Sequence, residues 1–177
     1  IRDPVRAWQQ RHGIITDPTH TTMTQDLLTH VDNGIATITM NRPASRNALT
    51  PEMVHAMHAA LTAHAIDPSI RLVVLTGAAA AFCSGGDVKG FAQVAAGEQP
   101  PMGFDQRVID LRLRMEVSRL LHEIPKPTLA VLPGPAAGAG FSLALACDLR
   151  LAADDARLTT AFARMGVSGD FGGSYFL

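Results

Sequence analysis

The sequence has little cysteine. Only Cys83 and Cys147 occur in 177 residues. They lie far apart, each among apolar neighbours, which argues against a disulfide framework and for buried free thiols in a reducing compartment. Aromatic residues make up 5% of the chain and charged residues 18%, with a formal net charge of −1. A chain with no basic excess and few stacking rings is a poor partner for nucleic acid. No apolar run reaches the roughly 18 residues of a membrane span. No secretory h-region opens the chain either, so the expectation is a cytoplasmic protein without a membrane partner. What is abundant is apolar content, 47% of residues, enough to build the core of one domain.

The first 22 residues show no clear period, and position 1 is Ile1 rather than Met. The expected organisation is a leader or flank over 1–22, with Met23 at or near a start, and one core domain over 23–177. Two strand-like runs, Leu27–Val31 and Ile35–Met40, flank Asp32-Asn33-Gly34, and an Asn-Gly pair between apolar runs predicts a hairpin. Thr50-Pro51-Glu52 combines an N-cap residue, a proline at the first helical position and an acid in the first turn. That helix is expected to reach about Ala65, burying Met53, Met57, Ala60 and Leu61. Arg71–Thr76 and Thr128–Leu132 read as buried parallel strands. A helix is expected from about Val88 and a Pro/Gly-rich surface loop over Gly97–Phe104. A long amphipathic helix should span Gln106–Ile124, turning Val108, Leu111, Met115, Leu120 and Leu121 to the core. Strands alternating with helices in this way predict an α/β domain with parallel pairing. No internal repeat of simple period is visible, and the only low-complexity tract is Ala78–Ala81.

Chemistry concentrates between Gly134 and Leu177. A small-residue turn opens an apolar helix, which should stop at Asp148 before a strand, and Asp170 then sits in a glycine-rich loop. The first N–H groups of a helix lack intrahelical acceptors and attract negative charge. Gly85-Gly86 lets backbone approach a ligand without a side chain between them. Taken singly, Gly85-Gly86 and Gly138-Ala139-Gly140 are equally consistent with tight turns and close packing. His55, His58 and His64 share a helix, but no carboxylate or thiol is spaced to complete a metal site, so they read as solvent-facing. Asp87 reads as a cap for the helix expected from Val88, and Asp154-Asp155 as a surface turn. No motif suggests a Ser-His-Asp or Cys-His arrangement.

Three stretches, NRPASRNALT (Asn41–Thr50), FCSGGDVKGF (Phe82–Phe91) and GPAAGAGFSLALACDLRLA (Gly134–Ala152), resemble the crotonase superfamily of enoyl-CoA hydratases and isomerases. The resemblance spans roughly Leu27–Leu177. It implies a spiral of ββα units with two roughly perpendicular sheets, and it implies that the family's C-terminal helices are missing, so that an exposed apolar patch is expected where they would dock. It places two oxyanion donors on the backbone N–H groups of Gly86 and Ala139. It places coenzyme A contacts on Arg46, Ala48, Ser84, Gly86, Asp87, Val88 and Lys89. Solvated surface charge remains an equal reading for Arg46 and Lys89. No permanently bound cofactor or metal is implied; the substrate arrives as a coenzyme A thioester. The full-length protein is expected to be a homo-oligomer, trimer or hexamer.

The chain departs from the family pattern at two positions. Hydratases carry one glutamate where this sequence has Ser142 and another where it has Phe162. Asp170 falls where some family isomerases carry a catalytic aspartate, and AAGAGFSLALACDL is similar to the branch with ring-epoxyphenylacetyl-CoA and enoyl-CoA isomerases. One carboxyl group can remove a proton at one carbon and return it at another. Asp170 can also be read as an N-cap for a helix opening at Gly172 or Gly173. Ser142 reads as a pocket filler or as a group that orients substrate. The expectation is enoyl-CoA isomerisation. Hydration and a non-catalytic acyl-CoA-binding or assembly role are the alternatives.

Overall fold

A computed structural model describes residues 21–87, 96–97, 103–166 and 168–177. Its main sheet has six strands in the order β1-β2-β3-β4-β5-β7. These are β1 (Thr21–Thr24), β2 (Leu27–Asp32), β3 (Ile35–Met40), β4 (Leu72–Gly77), β5 (Thr128–Leu132) and β7 (Leu149–Ala152). β2 and β3 form the expected hairpin, with Asn33 and Gly34 both left-handed at its turn. From β3 onward every neighbouring pair is parallel. The boundary expected after residue 22 falls inside β1.

A second, small sheet runs alongside. β6 (Ala136–Ala137) pairs in parallel with β8 (Leu158–Thr159). Single parallel bridges join Cys83 to Ala136 and Leu49 to Gly86. The chain therefore visits the large sheet and then the small one on each pass. It goes from β3 to Leu49, from β4 to Cys83–Gly86, from β5 to β6 and from β7 to β8. Helix α1 (Pro51–Ile66) follows the first pass and α3 (Ala139–Ala146) the third. This is the spiral of ββα units that the sequence, with no readable period, did not display.

Local chemistry explains the helix ends. Thr50 accepts a hydrogen bond from the Met53 amide at 3.1 Å, with Pro51 opening α1. α1 buries Met53, Val54, Ala56, Met57, Ala60 and Leu61. At the far end of α3, Arg150 donates to the carbonyls of Leu145 and Cys147, satisfying acceptors that a helix C-terminus leaves open. The Asp148 carboxylate accepts from the Thr128 amide and hydroxyl, tying the exit of α3 to the start of β5.

The core lies between the main sheet and α1, α2 (Phe104–Glu123) and α3, around Ile38, Met40, Met57, Leu61, Leu75, Phe82, Leu121 and Leu143. α2 differs from expectation. It buries Val117, Ser118 and Leu121 near its C-terminal end, while Val108 and Leu111 are about half exposed. The buried residues of α2 all lie in its last third, so the apolar periodicity of its first half is left largely exposed. Phe104, Ile109 and Leu113 are exposed as well. The helix expected from Val88 lies outside the described residues, as do residues 1–20 of the flank expected over 1–22 and most of the loop expected at Gly97–Phe104.

Candidate active site

Two backbone segments meet at the ends of β4 and β6. The Ala137 amide donates to the Cys83 carbonyl at 2.9 Å. A Cβ on Gly85 would stand 3.0 Å from the Ala137 carbonyl oxygen and 3.6 Å from the Ala139 nitrogen. Gly85 has φ +97°, and Gly138, the residue before α3, has φ +51° and ψ −124°. Both conformations are open to glycine and strained for other residues. Among the described residues, no acceptor in the chain takes the Gly86 or Ala139 N–H. Ala139 is the first residue of α3, where the helix dipole adds to the donor.

Close packing beneath this point depends on Gly140. A Cβ there would lie 2.5 Å from Cys83 Cβ and 2.6 Å from the Cys83 carbonyl oxygen. Cys83 is fully buried, and burial pushes its thiol up to about 12, with the charge of Asp170 adding to the shift. Asp170 is thus within electrostatic reach of Cys83. Its own carboxyl is half-buried and is pushed above the ordinary carboxylate range by loss of water.

The loop that carries Asp170 is anchored by Phe171, 6% exposed within the main core. Phe171 holds φ +48°, which is costly for a bulky residue and marks local strain. Helix α4 (Gly173–Phe176) begins after Gly172, and no side chain caps it. The Asp170 main-chain carbonyl accepts from the Gly173 amide at 2.9 Å. The carboxylate therefore does not serve as the N-cap that the sequence also allowed.

Ser142 and Phe162, the two positions without the hydratase carboxylates, flank Gly173. A Cβ on Gly173 would be 2.5 Å from Ser142 Oγ and 3.6 Å from the Phe162 ring. Ser142 is fully buried and its hydroxyl donates to the Gly138 carbonyl at 3.2 Å. The ring of Phe162 also faces Gly169, whose Cβ would be 3.1 Å away. The glycines on either side of Asp170 in its loop thus pack against a back-bonded hydroxyl and an aromatic ring.

The 42–49 loop adjoins the other side. Leu49 N–H donates to the Gly85 carbonyl at 2.8 Å, Asp87 N–H to the Leu49 carbonyl at 3.2 Å, and Ser84 N–H to the Arg46 carbonyl at 2.9 Å. Arg46, Ala48, Ser84, Gly86 and Asp87 are therefore gathered at one place. Arg46 and Ser84 are exposed, whereas Ala48 is buried. Val88 and Lys89 lie outside the described residues, and so does any helix that Asp87 would cap. The Asp87 carboxylate pairs with Arg42 at 3.1 Å.

Reasoning from residues alone passed over Asn47 and Arg42. Asn47 is fully buried and donates to the carbonyls of Ala78 and Ala81, at 2.9 Å each. The one local hint was an Asn in a loop, where left-handed backbone is tolerated; its φ is +57°. Of the three histidines on α1, His55 is exposed, but His64 is half-buried. Its Nε2 finds no hydrogen-bond partner among the described residues, and burial lowers its pKa. Among the described residues no three His, Cys, Asp or Glu side chains gather as a metal site, and no helix is long and apolar enough to cross a membrane.

Residues 30–177 match the family model described as enoyl-CoA hydratase/isomerase. The chain belongs to the enoyl-CoA hydratase/isomerase family. It is 35% identical over 155 residues to the 1,2-epoxyphenylacetyl-CoA isomerase of Escherichia coli (strain K12), covering 88% of this chain and 58% of that protein. It is 40% identical over 150 residues to a Rhodobacter capsulatus protein named "Probable enoyl-CoA hydratase", covering 83% of this chain and 53% of that one. Among solved structures, the enoyl-CoA hydratase from Polaromonas sp. JS666 superposes with a TM-score of 0.75 at 36% identity, covering 85% of this chain and 56% of that chain. The fold is that of crotonase-type proteins. The chain spans a little over half the length of the curated relatives it matches.

Proposed function

We propose that this chain forms the thioester-binding core of an acyl-CoA-processing enzyme whose reaction is a double-bond shift through an enolate. The thioester oxygen is held by the N–H groups of Gly86 and Ala139. Asp170 takes a proton from the acyl chain, and the electron pair left behind moves onto that oxygen. The same carboxyl then returns the proton at another carbon. The net reaction consumes nothing, and a single base suffices. The coenzyme A portion lies along Arg46, Ala48, Ser84 and Asp87.

The observation that carries this reading is the half-buried Asp170, deprived of water and within electrostatic reach of Cys83, on a loop whose glycines pack against Ser142 and Phe162, where no second carboxylate stands. A carboxylate deprived of water is a stronger base than one in solvent. Two amides aimed at a developing oxyanion supply the rest, since losing one such donor costs about 3 kcal/mol in enzymes where it has been removed.

Asp170→Asn in the protein supplied with an acyl-CoA tests it. Exchange of the α- or γ-proton with deuterated solvent should fall by about a hundredfold or more, while acyl-CoA binding survives. Unchanged exchange would rule out the Asp170 mechanism. Loss of enoyl absorbance from crotonyl-CoA would favour hydration instead. Acyl-CoA affinity with neither signal would leave a binding or assembly role.

A further inference from the structure

Arg42 sits where the 42–49 loop and the oxyanion segment are joined. Its Nη1 donates to the Ala48 carbonyl at 2.8 Å and to Asp87 Oδ2 at 3.1 Å. Its Nε lies 3.5 Å from Asp26 Oδ2, and that same oxygen accepts from the Thr50 hydroxyl at the start of α1. The Arg42 amide donates to Asn47 Oδ1 and the Asn47 amide returns to the Arg42 carbonyl, both at 2.9 Å. Arg42 is therefore held at both main chain and side chain. Ala48 and Asp87 stand on opposite sides of the Leu49–Gly86 bridge.

We infer that Arg42 is a positioning residue: its guanidinium clamps the 42–49 loop to the 83–87 segment and thereby sets where the Gly86 amide points. The functional consequence rests on the acyl-CoA reading above; the clamp itself rests on geometry alone. Asp87 directly follows Gly86, so a hold on Asp87 limits rotation of the backbone that presents the Gly86 N–H. The hold on Ala48 ties that backbone to the loop proposed to contact coenzyme A. Binding energy from the nucleotide end can then tighten the reacting end, where interactions with remote parts of a substrate are best used. A planar fork with several donors fits two acceptors at once, whereas a lysine is a single point charge.

Amide hydrogen exchange on the ligand-free protein tests the clamp directly. Arg42→Met should speed exchange of the Leu49, Ser84 and Asp87 amides at least tenfold, while Val74 and Leu75 in β4 keep their protection. Arg42→Lys should fall between Arg42→Met and the parent. Asp87→Asn should reproduce the effect and add little to Arg42→Met, as partners in one contact do. Unchanged protection at those three amides, or equal acceleration in β4, overturns the proposal. A second measurement uses acetoacetyl-CoA, whose enolate absorbs in the near ultraviolet. At saturation the parent should develop that absorbance and Arg42→Met should lose most of it, with Arg42→Lys restoring part. Full absorbance in Arg42→Met overturns the link to the oxyanion site. No absorbance in the parent overturns the acyl-CoA reading, and the exchange data then decide the clamp alone.

Discussion

A Cβ placed on Gly173 would stand 2.5 Å from the Oγ of Ser142. The first residue of α4 and the buried hydroxyl of α3 therefore share one space, and each restricts what the other can be. This contact joins the loop that carries Asp170 to the helix that presents Ala139.

Gly173→Ala should accordingly destabilise the protein by about 1–3 kcal/mol, the range for overpacking a tight site. Ser142→Ala in the same chain should recover part of the loss, because the Ser142 Cβ is 3.5 Å from that position, an ordinary contact. Urea denaturation of the two single variants and the double variant checks the compensation. A double variant no more stable than Gly173→Ala would show that the hydroxyl is not the obstacle.

Gly140→Ala should cost more, about 3 kcal/mol or above. Its Cβ would meet the Cys83 main-chain carbonyl at 2.6 Å as well as the side chain, and backbone cannot turn aside. Near-wild-type stability with unchanged thioester binding would contradict the close approach of α3 to the Cys83 backbone.

The two thiols should be inert in the folded protein. Burial pushes Cys83 and Cys147 up to about 12 each, so neither is a thiolate at pH 8, and neither is open to a reagent. Iodoacetamide at pH 8 should leave both unmodified by mass spectrometry until denaturant is added. Rapid labelling of either in the native state would contradict its burial.

Asp170 should make stability depend on pH. Its folded pKa lies above its unfolded value, so the folded state binds the extra proton in the window between them. Stability contributed by the protonated carboxyl is present below the unfolded value of ~3.9 and is lost as pH rises through the folded pKa. Asp170→Asn should therefore gain stability relative to the parent at pH 7, with the gain shrinking toward pH 4. Denaturation curves for both proteins across that range test the sign. A variant that is less stable at pH 7 than at pH 4, relative to the parent, would show that the carboxylate is stabilised where it sits.

Thr50→Ala should lower stability by about 1 kcal/mol, the usual worth of an N-cap, since its hydroxyl satisfies the Met53 amide and also donates to Asp26. Thr62, whose hydroxyl donates to the His58 carbonyl four residues back within the helix, should tolerate alanine with a smaller change. Equal losses at the two positions would remove the cap as the cause.

Much of this architecture was legible in residue order because its signals are local. The Asn33-Gly34 turn, the Thr50-Pro51 start of α1 and the continuous apolar runs of β4 and β5 each depend on neighbours within a few residues. Periodicity failed on α2 for a physical reason. Val108 and Leu111 repeat at helical spacing as a core face does, yet whether a face is covered depends on elements elsewhere. Ser118, by contrast, is 3% exposed although its hydropathy gives no hint of burial. Asn47 was equally silent, because its acceptors at Ala78 and Ala81 are more than 30 residues away.

Residue order by itself determined the candidate groups: glycines able to bare an amide at Gly85-Gly86, an apolar helix opening at Ala139, and one carboxylate at Asp170. Tertiary structure decided their proximity, laying Gly85 against Ala137–Ala139 and bringing Asp170 within electrostatic reach of Cys83. It also decided that the Asp170 carboxylate caps no helix and that Arg42 joins Ala48 to Asp87. The reason is that hydrogen-bond propensity and backbone freedom are properties of single residues, whereas proximity and loss of water are properties of the packed chain.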